Sequence, residues 1–311
     1  MVKGIRITAS ALWFVTALAH AAPAGDRLVL DTMATDDSDG LRQQSVYAGA
    51  VKALPSLGTN AAIGVRAGFW ELEGPGQHVD FTALRVDHQQ ALGPTTIDVG
   101  VHQLFGNDWS PTLGHAAVSV PLAPVTLEAG VERALVDTVI AARRETTFDT
   151  WNATADYTVS PQWTVVGGGL LQDFSDGNQR QGGVFKVVYS PSTLEGFNAQ
   201  LRLRRLDADR QGIGYFSPDR FEEGLLLLQY GHPLPGDRFV LTGQVGGGVQ
   251  RIDSRDNFAV FVAELRARGW FTDTLGMEGK LGCTNTGDIA VGAATGGYRY
   301  CYANLTLMRP W

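Results

Sequence analysis

Long apolar runs are missing from this sequence. After residue 22, every apolar stretch is interrupted by a charged residue, a glycine or an asparagine within a few positions. A transmembrane helix needs about 20 consecutive, predominantly apolar residues, and helical periodicity is nowhere convincing along the chain. This absence excludes a helical membrane protein.

Basic charge is also scarce. The chain carries 25 lysine and arginine residues against 32 aspartate and glutamate residues, which gives a formal net charge of −7. A surface of this sign disfavours nucleic acid as a partner, and it argues against broad basic patches that grip anionic lipid. We therefore expect no nucleic-acid partner.

Motifs for catalysis and metal binding are absent as well. The sequence has no Gly-x-Ser-x-Gly elbow and no His-x-x-x-His pair. The acidic run 36–40 resembles a calcium loop only faintly, because it lacks the spacing and the final carboxylate of an EF-hand. The histidines after the N-terminal segment lie in no catalytic motif; they are His78, His88, His102, His115 and His232. We expect no enzyme, no metal and no cofactor.

The N-terminus indicates a secretory signal peptide over residues 1–21. Lys3 and Arg6 supply positive charge, Ala9–Leu18 forms a short apolar core, and a small-x-small cleavage site ends at Ala21. A retained membrane helix is the alternative, but the apolar run is shorter than a membrane span requires. The mature chain is therefore expected to be exported.

The rest of the chain, residues 22–311, alternates apolar and polar side chains in segments of about ten residues. This pattern predicts one domain: an all-β, transmembrane antiparallel β-barrel of about 16 strands in the cell outer membrane. The predicted strands are 27–35, 41–54, 61–74, 78–91, 95–105, 111–122, 125–136, 147–159, 162–173, 181–190, 197–207, 223–231, 238–251, 258–271, 275–285 and 298–311.

The connections between these strands alternate in character. Short turns such as Gly93-Pro94 and Ser160-Pro161 alternate with longer polar loops such as 207–222 and 285–297. Outer-membrane barrels combine short periplasmic turns with longer external loops. Since the predicted strand number is even, we expect both termini in the periplasm.

The last two predicted strands carry both cysteines, Cys283 and Cys301. A hairpin between these strands would place them opposite one another, and both share the parity of the apolar residues in their strands. Because disulfides persist in exported proteins, we predict one bridge at the outer end of this hairpin; two unpaired buried thiols are the alternative. On the other parity, Tyr298, Tyr300 and Tyr302 are expected in an aromatic girdle.

Strand parity also predicts which charged side chains face the barrel interior. A charged side chain that faces lipid at mid-membrane costs about 2 to 4 kcal/mol, so inward placement is energetically required. Such residues either line a path for a polar polymer or solute, or are simply solvated by water and one another. They are Arg66, Asp98, His102, Glu128, Glu132, Lys186, Arg202, Arg204, Glu264, Arg266, Arg268, Glu278 and Lys280.

Three short stretches stand out as motifs: Glu132–Val139, Ser175–Asn178 and Gly214–Phe221. In this order they resemble the C-terminal outer-membrane barrel of bacterial exopolysaccharide-export porins, which serve cellulose or poly-N-acetylglucosamine. The resemblance implies a porin-like channel through which a polysaccharide leaves the cell. Its implied partners are outer-membrane lipid, the polymer and periplasmic secretion components. No tetratricopeptide repeat appears in the sequence, so a stand-alone barrel is expected.

The second and third motifs supply the loop candidates of the site. Their residues also suit ordinary turns, so they either shape two external loops or contact sugar. The aromatic rings could stack on pyranose faces or pack the loop into the barrel mouth. The candidates are Ser175, Asp176, Gly177, Asn178, Tyr215, Phe216, Ser217, Pro218, Asp219, Arg220 and Phe221. A structural or general-diffusion barrel is the alternative function, ahead of a lipid-modifying enzyme.

Overall fold

A computed structural model describes residues 25–58, 60–210, 214–234, 236, 238–285 and 299–311. The predicted signal peptide and Tyr298 lie outside the described residues. The strands are β1 Arg27–Asp37, β2 Arg42–Ala53, β3 Ala62–Gly74, β4 Gln77–Leu92, β5 Thr95–Phe105, β6 Thr112–Leu122, β7 Val125–Leu135, β8 Thr147–Ser160, β9 Trp163–Phe174, β10 Gln179–Tyr189, β11 Phe197–Ala208, β12 Phe221–Pro233, β13 Phe239–Ile252, β14 Phe258–Thr272, β15 Leu275–Thr284 and β16 Tyr300–Pro310.

The sixteen strands form one closed antiparallel barrel. Each strand pairs with its neighbours along the chain, and β1 closes the barrel by pairing with β16, from Arg27 opposite Pro310 to Asp37 opposite Tyr300. The predicted strand number is confirmed, and every predicted boundary lies within two residues of the observed one. The period-2 pattern locates strands this closely because each one separates an apolar face from a polar face.

The even strand number places the start of β1 and the end of β16 at the same end of the barrel, here called the terminal end. The opposite end is the loop end. Turns at the terminal end include a short 3-10 turn, Pro55–Leu57, and two-residue connections. The loop end carries a five-residue helix, α1 Val139–Arg143, between β7 and β8. The β3–β4 connection at the loop end is nevertheless only two residues long. None of the described helices is long and apolar enough to cross a membrane.

The outward face of the barrel is apolar. Leu28 and Leu30 on β1 and Phe69 on β3 are exposed there, as are the corresponding apolar residues of the other strands. Aromatic pairs mark the outward face near the terminal end: the rings of Trp163 and Tyr189 lie 4.6 Å apart. This exterior matches what a lipid environment requires of a barrel.

The expected girdle role of Tyr300 and Tyr302 is wrong. Both lie on the inward parity of β16, where the Tyr302 hydroxyl donates to Glu264 and its ring lies 4.8 Å from the Lys280 ammonium. Tyr300 packs beside the buried cluster that contains Phe216. A tyrosine suits a girdle or a polar interior equally well, so only its partners decide between them.

The predicted bridge between Cys283 and Cys301 is present. The two residues are direct cross-strand partners on β15 and β16, with a Cα–Cα distance of 4.1 Å. Leu281 and Ala303, the next pair on the same face, are also in register. The disulfide therefore joins the last hairpin on its outward face, close to the loop end.

Candidate functional site

The segment between β7 and β8 folds into the loop-end mouth of the barrel. Thr138 begins α1 by accepting a hydrogen bond from the Ala141 amide at 3.2 Å, as helix N-caps do. Val139 and Ala142 then pack into a cluster of inward wall residues that includes Leu72. Burial of these apolar side chains holds the segment inside the mouth.

The segment between β11 and β12 enters the same mouth. Tyr215, Phe216 and Phe221 are 6%, 5% and 1% exposed. The Tyr215 ring stacks on Phe174 of the wall, with centroids 4.7 Å apart, and Phe216 meets Phe221 edge to face. Of the two roles open to these rings, the structure shows packing into the barrel mouth, because little of any ring remains free to meet a sugar.

Hydrogen bonds tie this segment to the β9–β10 turn. The Asn178 amide donates to the Tyr215 hydroxyl at 3.1 Å and to Ser217 Oγ at 2.7 Å. The Tyr215 hydroxyl donates to the Asp176 carboxylate at 3.0 Å. Burial raises the pKa of Tyr215 to about 12, so its proton stays in place for this bond. Gly177, with φ +82°, permits the left-handed turn.

The other motif residues hold the edges of these two connections. Ser175 Oγ accepts from the Thr147 amide at 3.0 Å, and the Pro218 carbonyl accepts from the Ala208 amide at 3.2 Å. The Arg220 amide donates to Asp253 at 3.0 Å. Asp219 is exposed at the surface. These contacts are turn chemistry of the kind the sequence allowed.

Two further residues complete the arrangement: Arg180, which the sequence did not single out, and Thr138 of the first motif. Arg180, an inward and 2% exposed residue of β10, donates to the Phe216 carbonyl at 2.6 Å and to Gln172 at 2.7 Å. Thr138 Oγ1 donates to the Gly214 carbonyl at 2.5 Å. The three sequence motifs thus meet at one place. We call residues 136–146 and the described part of 209–220 the loop cap.

Arg180 could have been found from parity, because it shares the inward face of β10 with Val184, Lys186 and Val188. No such signal existed for its partner, the Phe216 carbonyl. A contact between two segments 36 residues apart in sequence is set by the closed barrel rather than by local pattern.

The inner wall carries a first charged network on β1, β3 and β4. Arg66 forms salt bridges with Asp31 at 2.9 Å and Asp87 at 2.5 Å, and Arg85 bonds Asp87 at 2.7 Å. These side chains are between 16% and 34% exposed. Asp31 and Asp87 were missed, although they alternate with outward apolar residues and parity would have placed them inward.

A second network on β11 and β12 is almost completely buried. Glu223 accepts from Arg202 at 3.1 Å and from both Arg204 Nε and Nη2 at 2.8 Å, and its side chain is fully buried. Lys186 is the direct cross-strand partner of Arg202. Glu223 was missed because the run Leu225–Leu228 is apolar on both parities and hides the inward face of β12.

The third network centres on Glu264 of β14. Its carboxylate lies 2.5 Å from Arg266 and 3.1 Å from Lys280, and it also accepts from Tyr302. Two further predicted lumen residues, Arg268 and Glu278, are direct cross-strand partners on the same inward parity. The sequence therefore located all but the tyrosine of this group.

The remaining lumen candidates lie on β5 and β7. Asp98 bonds His115 at 2.6 Å, and His102 lies 3.1 Å from the Tyr47 hydroxyl. Glu128 and Glu132 occupy inward positions of β7 opposite Ser119 and His115. Within the described ranges, no group of three His, Cys, Asp or Glu side chains could hold a metal ion.

An apolar outward face, a charged inward face and a closed ring of strands define this protein as a transmembrane β-barrel. The chain is similar to a structure described as a bacterial polysaccharide outer membrane secretin, with TM-score 0.73, 11% identity, and coverage of 93% of this chain and 99% of that one. It also aligns with OccK7 (OpdD) of Pseudomonas aeruginosa, with TM-score 0.47, 9% identity and coverage of 92% and 98%.

A further alignment, with OccAB3 of Acinetobacter baumannii, has TM-score 0.45, 7% identity and coverage of 92% and 99%. No family model and no curated protein matches the sequence. At such low identities, structural similarity establishes the fold and leaves function to be argued from the site.

Proposed function

We propose that this protein is an outer-membrane channel that exports an exopolysaccharide such as cellulose. The observation that carries the proposal is the meeting of the three motifs at the loop cap. These are the same stretches that resemble polysaccharide-export porins, and they build one structural unit across the mouth of the barrel. The similarity in fold to a polysaccharide secretin supports the same reading.

The inner wall suits a polar, neutral polymer. In the first network two aspartates balance two arginines, with Arg66 between Asp31 and Asp87, and carboxylates also contact arginines in the other two networks. A wall of paired charges offers donors and acceptors to sugar hydroxyls without a field of one sign that would retain ions. A carbohydrate can therefore slide past such a wall by exchanging hydrogen bonds.

The loop cap acts as a gate in this proposal. Its apolar side chains and its bonds to Asn178 and Arg180 hold it in the mouth, so export requires the cap to move aside. The terminal end would face the periplasm and receive the polymer from periplasmic secretion components, while lipid surrounds the barrel.

Planar-bilayer recording of the purified protein tests the gate. We expect low conductance from the intact protein and higher conductance when residues 209–220 are shortened. Shortening the β13–β14 connection, residues 253–257, at the same end serves as the matched control and should leave conductance low. A barrel that stays closed after loss of 209–220 would contradict the channel.

Deletion of the gene tests the cargo. Surface polysaccharide should disappear and return when the intact gene is restored. If the polysaccharide persists while the purified protein conducts small solutes, the general-diffusion barrel replaces the export channel as the function. A surface polysaccharide that is unchanged would also remove the secretion components from the proposal.

A further inference from the structure

The outward wall between β8 and β13 contains a groove near the loop end. The residues that border it enclose about 1240 Å³, more than the roughly 300 to 1,000 Å³ of typical small-molecule pockets. Its rim is formed by exposed apolar side chains that point away from the lumen: Trp151, Leu171, Phe185, Leu203 and Val249. The groove therefore opens towards lipid and not towards the channel.

Glycines create the floor of this groove. Gly169 on β9 and Gly183 on β10 are direct cross-strand partners, and both lie at outward positions. A Cβ at Gly183 would meet its nearest atom at 3.5 Å, and one at Gly169 at 3.4 Å, which are ordinary contacts. Neither backbone strain nor wall packing demands glycine here, so what the two glycines provide is the open space.

Charged residues continue the same lateral row of the sheet. Gly183 is the cross-strand partner of Arg205, Arg205 of Glu222, and Glu222 of Arg251. Arg205 bonds Asp207 at 2.8 Å, and Glu222 receives Arg251 at 2.6 Å. Arg220 also donates to Glu222, so three arginines share two carboxylates. Within the row itself, Arg205 and Arg251 flank the single carboxylate of Glu222, while a further carboxylate, Asp253, accepts from the Arg220 amide beside it.

We propose that this groove binds a phosphorylated lipid of the membrane leaflet on the loop side. An acyl chain lies over the glycine floor between the apolar rim residues, and the phosphate is held by Arg205 and Arg251. A guanidinium has five donors, so each arginine can keep its carboxylate partner and still bind a phosphate oxygen. The proposal rests on the membrane location of the proposed function, but not on polysaccharide export.

Native mass spectrometry of the detergent-purified full chain provides the test. The probes are phosphatidic acid, which exposes a phosphate, and phosphatidylcholine with the same acyl chains. We expect the intact protein to bind phosphatidic acid about tenfold or more tightly than phosphatidylcholine, since arginines near a membrane surface attract anionic lipid. The double variant Arg205→Gln/Arg251→Gln should lose this preference.

Two further variants separate the parts of the site. Arg133→Gln removes an outward arginine at the same end, which also pairs with a carboxylate, Asp149, at 2.6 Å. Arg133 does not border the groove, so this change should leave the lipid preference unaltered. Gly183→Leu fills the floor of the groove and should weaken the binding of both lipids. If the double variant cannot be purified in folded form, the single change Arg251→Gln is measured instead.

Equal binding of the two lipids by the intact protein, or an unchanged preference in the arginine variants, would overturn the proposal. Insertion of the protein into lipid vesicles is measured in parallel. A barrel that fails to insert contradicts the membrane location itself. A barrel that inserts, and that conducts only after residues 209–220 are shortened, but shows no lipid preference, contradicts only the lipid site.

Discussion

Inward-facing charged side chains are more deeply buried near the loop end of the barrel than near its terminal end. Towards the loop end, Glu223 is fully buried between two arginines, and Arg180 is 2% exposed beneath the loop cap. Towards the terminal end, the Arg66 network keeps between 16% and 27% of its aspartates and of Arg66 exposed. Charge at the loop end thus serves the architecture, whereas charge nearer the terminal end remains available to water and solute.

The change Glu223→Gln tests the buried side of this comparison. It leaves Arg202 and Arg204 without their carboxylate, and breaking a buried ion pair costs about 3 to 5 kcal/mol. Urea unfolding in lipid vesicles measures the loss. The neighbouring change Glu222→Gln removes an outward carboxylate that is 31% exposed, and should cost at most about 1 kcal/mol. Equal losses would mean that Glu223 is solvated.

The disulfide is expected to make the next largest contribution to the free energy of unfolding. Cys283 and Cys301 are 18 residues apart, and a bridge that closes a loop of about 15 residues is worth about 3 kcal/mol in the chain-entropy treatment. Unfolding of the double variant Cys283→Ser/Cys301→Ser should show this loss. Peptide mapping without reductant should recover one linked pair, and two free thiols would refute the bridge.

A smaller and more local effect is expected from Asn178→Ala. The change removes the bonds to Tyr215 and Ser217, each worth about 1 kcal/mol net, because Tyr215 keeps its bond to Asp176 and Ser217 keeps its bond to the Arg210 carbonyl. Limited proteolysis should cut residues 209–220 faster, and conductance should rise. The exposed Asp219→Ala in the same loop is the control. Unchanged cleavage of the Asn178 variant would show that the cap is held by apolar packing alone.

The smallest change in stability is expected from Asp87→Asn in the wetter network. Arg66 retains Asp31 as a partner and Arg85, which also loses Asp87, is 34% exposed to water, so the loss should be near 1 kcal/mol. The channel, however, gains positive charge on its wall, and the reversal potential should shift towards anions. Because Glu223 is buried away from the lumen, Glu223→Gln should leave the ion selectivity unchanged. A shift in reversal potential of equal size in both variants would contradict the difference between the two ends.

Much of the barrel was predictable because alternation must hold along every strand. Ile63, Val65 and Phe69 lie outward and Arg66 inward, as parity requires. Parity carries no information at Leu225–Leu228 beside Glu223, and a side chain that suits two environments, such as Tyr302, cannot be placed by its residue type alone. The contacts of the loop cap could not be predicted from the sequence, because Thr138 meets Gly214 only after the intervening strands have curved into a ring.

The pairing of β1 with β16 has a kinetic consequence. Every other pairing in the barrel joins strands adjacent along the chain, whereas this one joins residues 27–37 to residues 300–310. The entropic cost of closing a loop rises with the length of chain that it encloses. Fifteen of the pairings enclose short loops, whereas the pairing of β1 with β16 encloses nearly the whole domain and is therefore the slowest to form. We expect the seam between β1 and β16 to form last.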